Sequence, residues 1–307
     1  MAQEVGSKTL DEKLRGMLPG VGAKARELLV HSLSEPGFDG TLSAKDVGAL
    51  AQLESKTVSN LMVELLPLAA SYARPSISNF HVGALVRGVS GRLYIGANFE
   101  FSGQTLGATV HAEQSASANA YMHREENLTD LAVTAAPCGL CRQFLWEICY
   151  GTGLNVLTRN HPPAALKSLL PDAFGPKDLN LQKGALPVAS SPLKLKSPVT
   201  NPVATAALDA AQMSYAPYTD SHAGVAIRTS RGRIYRGSYI ENAAYNPSLA
   251  PLQVALAALT VAGDDAGQIV EAVLVEIPEK PVSHRASTVG VLSAVAPSAT
   301  LTSLAAG

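Results

Sequence analysis

Apolar positions between Leu42 and Ala73 recur at helical spacing and predict two helices. The first is opened by Ser43 with Asp46 three residues on, a capping-box pattern. From Phe80 to Val89 and from Arg92 to Phe99 the chain is rich in Val, Leu and Tyr around Ser90-Gly91, which predicts a β-hairpin. A helix from about Val110 to Arg124 follows. The apolar stretch Leu131 to Ala136 predicts a strand that Pro137 stops at the mouth of a helix running from about Cys138 to Cys149, and Leu154 to Leu157 predicts another strand. Such alternation implies a layered α/β domain with the sheet in the middle.

Between residues 184 and 201 the pattern lapses into Pro187, Pro192 and Pro198 among Ser residues, which reads as an extended linker. Beyond it the first pattern returns. An offset of 141 aligns residues 81–100 with 222–241 without a gap, and eight of the twenty columns are identical, where chance gives roughly one or two. The shared residues are His81, Gly83, Arg87, Gly91, Arg92, Tyr94, Gly96 and Glu100. The offset also lays Asp130–Ala136 on Glu271–Ile277 and Pro137 on Pro278. Tandem duplication is the economical explanation. The expected layout is an N-terminal extension (1–40), a first domain (41–183), the linker (184–201) and a second domain (202–307). The region after Pro278, with its Ser/Thr/Ala-rich end, yields no clear elements.

Composition then removes several classes. The chain has 307 residues, 47% of them hydrophobic, which is enough for a substantial core. With 24 Lys and Arg against 25 Asp and Glu, and only 5% aromatics, it lacks the cationic excess and stacking surface of a polynucleotide binder, so no nucleic-acid partner is expected. Residues 243–263 and 286–307 are charge-free and long enough to span a bilayer. Pro and several polar residues interrupt both, so no membrane partner is expected. The first twenty residues mix acidic and basic side chains without an apolar stretch, which points to a cytoplasmic protein. Three cysteines, Cys138, Cys141 and Cys149, in a reducing compartment suggest thiol chemistry or metal binding rather than disulfides.

The chemistry concentrates in His111-Ala112-Glu113 and in Pro137-Cys138-Gly139-Leu140-Cys141. One imidazole and two thiols supply three ligands of a zinc tetrahedron and leave the fourth position open to water. Cys138 and Cys141 lie one turn apart at a helix start, where free N–H groups and the helix dipole favour thiolates. Two thiolates offset the charge of the cation, so water at such a site is acidified less than by three imidazoles, and a base is needed nearby. Glu113 is placed to take a proton and return it to a substrate nitrogen. Arg142 either hydrogen-bonds the second thiolate or joins a surface salt bridge. Taken alone, Cys-x-x-C could also be a structural zinc knuckle or a redox pair. His-x-Glu followed by Pro-Cys-x-x-Cys is the signature of zinc-dependent nucleobase deaminases.

Through Phe80–Ala84, Gly96–Glu100, Thr109–Ser115, Pro137–Phe144 and Leu170–Leu179, the chain resembles the cytidine deaminase family, in particular its larger homodimeric class with a catalytic first domain and a degenerate second one. The resemblance spans most of residues 45–280. It implies an α/β fold, a three-layer α/β/α domain with a central mixed sheet, duplicated in tandem. It also implies hydrolytic deamination of cytidine and deoxycytidine to uridine and deoxyuridine, as in pyrimidine salvage. Glu113 would pass a proton to N3 and then to the leaving amine, Asn98 and Glu100 would hold the ribose, and Phe80 and Phe174 would pack around the pyrimidine. A carboxylate such as Glu100 accepts well from a sugar hydroxyl and repels a phosphate, which favours a free nucleoside. His81, kept in both halves, is expected to be structural.

In the second half the offset sets Leu252, Glu279 and Val282 opposite His111, Cys138 and Cys141, and Val254 opposite Glu113. That half cannot hold the same ion, so one zinc per chain is expected and its own work is packing. The resemblance implies that this packing includes a homodimer in which the second half helps wall off the partner's pocket. Two other readings use the same residues: a deaminase of nucleotides or polynucleotides, and a silent pyrimidine-binding module. The charge balance counts against the first and the intact ligand set against the second.

Overall fold

The computed structural model describes residues 8–151 and 153–307. Helices α1 (Leu10–Met17) and α2 (Ala23–Ser34) lead into a two-residue strand, β1 (Thr41–Leu42), and then α3 (Ala44–Leu53), α4 (Val58–Glu64) and α5 (Leu66–Ala70). Thr9, Ser43 and Thr57 cap α1, α3 and α4 by accepting the N–H three residues on. Where the apolar spacing predicts two helices over 42–73, there are three. Thr57 caps a new helix, and Pro67, with no N–H to offer, separates α5 from α4. The apolar spacing does not register these breaks because Leu61, Met62, Leu65, Leu66 and Leu68 all bury into one core.

The hairpin forms as β2 (Gly83–Gly88) and β3 (Leu93–Ala97), turned at Gly91 with φ +83°. After it come α6 (Ala112–Met122), β4 (Leu128–Val133), α7 (Gly139–Ile148), β5 (Asn155–Thr158), β6 (His161–Ala165) and α8 (Leu166–Leu169). The strand predicted at 131–136 lies three residues earlier, because beyond Val133 the chain leaves the sheet toward Cys138. The six strands run β1-β3-β2-β4-β5-β6, with β4 and β5 parallel and the other neighbours antiparallel. Strand alternation divides the side chains between two faces. Ala84, Val86, Leu131 and Val133 join the core shared with α6 and α7, whereas Leu85, Ala132 and Leu157 face α1–α5. The result is three layers, α/β/α.

The second half repeats this with α9 (Pro202–Met213), β7 (Ala223–Thr229), β8 (Ile234–Ser238), α10 (Pro251–Val261), β9 (Ile269–Glu276), α11 (Arg285–Val295) and β10 (Thr300–Ala305). Its sheet runs β10-β9-β7-β8. The registers coincide at the 141-residue offset: Leu85 opposes Ile95 as Ala226 opposes Arg236, and Ala84 opposes Val133 as Val225 opposes Leu274. The Ser/Thr/Ala-rich end, where sequence pattern predicts no element, forms α11 and β10, the latter parallel to β9. The charge-free runs are α10 with its flanks, and α11 with β10. Among the described residues no helix is long and apolar enough to cross a membrane. One hydrophobic core passes from α6 and α7 into α10 and β7, joining the halves.

Candidate metal centre and active site

His111 is the residue immediately before α6 and Cys138 the residue immediately before α7, both extended, with Cys141 inside the first turn of α7. The two helix starts face one another. The Nδ1 of His111 is 3.5 Å from Cys138 Sγ and 3.3 Å from Cys141 Sγ. Ligand atoms sharing a tetrahedral zinc at ordinary Zn–N and Zn–S lengths lie about 3.5 Å apart, so the arrangement fits that ion. Among the described residues, His111, Cys138 and Cys141 form the cluster with metal-ligand geometry, their donor atoms all within 4.8 Å of one another. Cys138 and Cys141 are free thiols. The hydrogen bond between the two sulfurs pushes Cys138 down to about 4 and pushes the buried Cys141 up, since one thiol serves as donor to the other. A divalent cation removes that asymmetry, because a coordinating thiol is deprotonated outright.

Glu113 sits in the first turn of α6 with 4% of its surface exposed. Burial pushes its carboxyl up, against the opposing pull of its own backbone N–H and of His111. A cavity of about 260 Å³ opens onto it, lined by His111, Glu113, Cys138, Phe80, Asn98 and Glu100, together with Ser78, Val82, Thr109, Ala112, Ala135 and Ala136. Three of the four candidate substrate residues thus share one cavity with the metal cluster. Phe174 is not in that lining. Its backbone carbonyl accepts from Gln143 Nε2 at 2.8 Å, and its ring is 47% exposed.

Asn98 bridges its own hairpin: Val82 N–H donates to its Oδ1 and its Nδ2 donates to the Phe80 carbonyl, each at 2.9 Å. This fixes the segment that carries Phe80. Glu100 accepts the N–H groups of Ile77 and Ser78 at 2.8 Å each and the Ser78 hydroxyl. Although partial burial works the other way, these hydrogen bonds hold its carboxyl below the usual range. Arg142 takes neither of its two predicted roles. Its Nε donates to the Pro137 carbonyl and its Nη1 to that of Leu169, each at 2.8 Å, so it ties down the turn that precedes Cys138. His81 is exposed, unlike its counterpart His222, whose Nδ1 lies 2.8 Å from Ser214 Oγ.

Sequence reasoning passed over Gln114 and Ser78. Gln114 Oε1 accepts the His111 N–H at 3.1 Å and so steadies the ligand's backbone; a Gln three residues after a helix start was a legible sign. Ser78 falls outside the aligned columns, but its hydroxyl-bearing counterpart Thr219 marks it at the same offset.

The equivalent region of the second half is filled. Tyr239, at the position of Asn98, packs its ring 4.2 Å from that of His284, and its hydroxyl lies 3.4 Å from Glu241 Oε1. Leu252 and Val254, at the positions of His111 and Glu113, are buried apolar residues.

Comparison with known proteins places the chain in a family. Residues 56–153 match a family model described as the cytidine and deoxycytidylate deaminase zinc-binding region, and residues 166–289 match a second model of the same description. The chain is 42% identical to the cytidine deaminase of Vibrio atlanticus (strain LGP32) over 280 residues, covering 91% of this chain and 94% of that one. It is 44% identical to the cytidine deaminase of Sodalis glossinidius (strain morsitans) over 289 residues, with the same coverages. A crystal structure of cytidine deaminase from Mycobacterium tuberculosis aligns with 38% of this chain and 96% of its own, at 33% identity and a TM-score of 0.34.

Proposed function

Because the chain belongs to the cytidine deaminase family, we propose that it is the zinc-dependent hydrolase that converts cytidine and deoxycytidine to uridine and deoxyuridine, releasing ammonia. The observation that carries this reading is the convergence of His111 Nδ1 with the sulfurs of Cys138 and Cys141 at the wall of a cavity that also holds a buried carboxylate, Glu113. His111, Cys138 and Cys141 hold the zinc. When bound, the ion supplies a Lewis acid that acidifies water at its open position.

The chain's own residues do the rest. Glu113, raised by burial, takes one proton of the attacking water and passes it to the ring nitrogen N3 as the oxygen bonds to C4; it then takes the second proton of that oxygen and delivers it to the exocyclic amine, so that the C4–N bond breaks, the C4 carbonyl forms and ammonia leaves. Glu100, kept ionised by its hydrogen bonds, accepts from a ribose hydroxyl and disfavours a phosphate there. Asn98 holds the ribose beside Glu100 and orients the segment bearing Phe80, whose ring packs on the pyrimidine, and Phe174, which lies outside the cavity lining, packs on it as the pocket closes.

The same reading carries a homodimer, supported by the exposure of Phe80 (61%) and Phe174 at a site meant to exclude water. It carries a cytoplasmic location, supported by thiols that must stay reduced to bind metal. It divides the chain at 1–40, 41–183, 184–201 and 202–307, supported by the repeated strand registers. The test is a nucleoside panel followed by the absorbance change of cytidine turning into uridine, with and without a chelator, beside metal analysis. Turnover abolished by the chelator and one zinc per chain are expected. Turnover indifferent to the chelator, or two tightly held ions, would overturn the assignment.

A further inference from the structure

Helix α7 carries two of the three metal ligands at its start, and near its end it carries Glu147, whose side chain is fully buried. Glu147 points into the second half. Its Oε1 accepts the hydroxyls of Tyr215 (2.7 Å) and Tyr218 (2.6 Å), and its Oε2 accepts the Ala243 N–H at 3.1 Å. A turn earlier, Asn242 Nδ2 donates to the Gln143 carbonyl at 3.1 Å. Asn242 is itself held, since its N–H donates to Ser248 and its Oδ1 accepts from Ala244. The same loop reaches the other ligand-bearing helix, where Gln114, the residue that receives the His111 N–H, contacts the Pro247 carbonyl. One loop of the half without ligands therefore grips both helices on which the ligands stand.

The duplication supplies an internal control. At the 141-residue offset Tyr215 and Tyr218 correspond to Arg74 and Ile77, and the helix equivalent to α7 is α11. At that junction no such clasp exists among the described residues. In its place is a cavity of about 630 Å³ lined by Arg74, Phe101 and Ser102 on one side and by Ala294 and Val295 of α11 on the other. Of two equivalent junctions, the one behind the metal-bearing helix is closed by a buried carboxylate with three donors, and the one behind the helix without ligands is left open. Packing alone gives no reason for this difference, because burying a carboxylate costs more than burying an apolar side chain.

We propose that Glu147 is a positioning residue through which Tyr215, Tyr218 and the Asn242–Pro247 loop of the second half hold α7 so that Cys138 and Cys141 stay converged on His111. The inference rests on the metal assignment above. It gives the half without ligands a task within its own chain: it sets how firmly the first half keeps its metal.

The test measures the rate at which zinc-loaded protein gives up its metal to an excess of a colorimetric chelator. Tyr215→Phe/Tyr218→Phe keeps both rings and removes two hydroxyl donors, and zinc release should accelerate about threefold to tenfold, at or below the size for loss of a group that bonds a metal ligand directly. Tyr218→Phe alone should shift it in the same direction and serves if the double variant does not fold. Tyr235→Phe is the control, because it removes a buried hydroxyl bond to Asp264 in the same half without touching α7. Release as slow as wild type in both clasp variants, or equally accelerated in Tyr235→Phe, would overturn the inference. Wild-type protein that takes up no zinc would instead overturn the metal assignment itself, so the two failures are distinguishable.

Discussion

Glu100 and Glu241 stand at equivalent positions of the two halves and hold equivalent loops in the same way. Glu100 accepts from the N–H groups of Ile77 and Ser78 and from the Ser78 hydroxyl. Glu241 accepts from the N–H groups of Tyr218 and Thr219 and from the Thr219 hydroxyl. Holding the loop is therefore part of the duplicated scaffold. What differs is what the carboxylate faces, a cavity on one side and the Tyr239–His284 pair on the other.

A substrate role for Glu100 can be separated from its scaffold role by comparing the two positions. Glu100→Gln should raise KM for cytidine by about tenfold to a hundredfold, the cost of a lost charged hydrogen bond, while zinc content stays unchanged. Glu241→Gln should lower the unfolding temperature and leave KM as it was. Steady-state kinetics on both variants decides: an equal rise in KM would assign Glu100 to the scaffold alone.

Glu113 lines the same cavity as His111 and Cys138 yet stands outside the ligand cluster, so its loss should affect chemistry and spare the metal. Glu113→Gln should lower kcat by about 10²–10⁴-fold, the range for a positioned general acid and base, with zinc bound at the wild-type level. Absorbance kinetics beside metal analysis checks both halves of this expectation. A variant that loses its zinc would make Glu113 a ligand and leave the proton relay without a residue.

Much of this site was legible because its parts lie at helix starts. Pro137 and the spacing of Cys138 from Cys141 mark one such start, and His111 with Gln114 marks the other. The hairpin and its copy were legible for a different reason: glycines and a tyrosine recur at fixed offset where backbones must approach closely. Two things were hidden. The break between α4 and α5 leaves apolar spacing intact, so only the cap at Thr57 and the missing N–H of Pro67 reveal it. The clasp on Glu147 joins residues 68 or more apart in sequence, and no local period encodes which buried carboxylate meets which tyrosine.

The repeated glycines make a testable case. A Cβ on Gly96 would lie 2.1 Å from the Ala116 backbone nitrogen, and one on Gly237 would lie 2.3 Å from that of Ala255, so in each half a strand touches its helix through bare backbone. Gly96→Ala and Gly237→Ala should each cost about 1–3 kcal/mol in urea unfolding, the usual price of overpacking. Only the first presses directly on α6, the helix that His111 immediately precedes, so only the first should also speed zinc release. Unaltered unfolding midpoints in both variants would show that the sheet can retreat from its helices without cost.

The filled pocket of the second half should leave a mark on stability in mild acid. His284 is 5% exposed and packs against the tilted ring of Tyr239, and burial alone pushes its imidazole down to about 4 from 6.5. Glu276 accepts its backbone N–H, and the hydroxyl of the neighbouring Tyr239 lies against Glu241; neither carboxylate bonds the ring. Its Nε2 is buried without a hydrogen-bond partner. Since the folded value is the lower one, the unfolded chain takes up the proton first as pH falls. The stability that neutral His284 permits is thus complete above pH 6.5 and is lost progressively between 6.5 and about 4, reaching about 2 kcal/mol at pH 5. His284→Phe keeps an aromatic ring on Tyr239 and removes the titration. By pH 5 its unfolding free energy, followed by urea denaturation at successive pH values, should have fallen by about 2 kcal/mol less than that of the wild type. Parallel pH profiles for the two proteins would show that His284 is protonated in the fold as readily as outside it, and that the second pocket is less tightly closed than its packed rings imply.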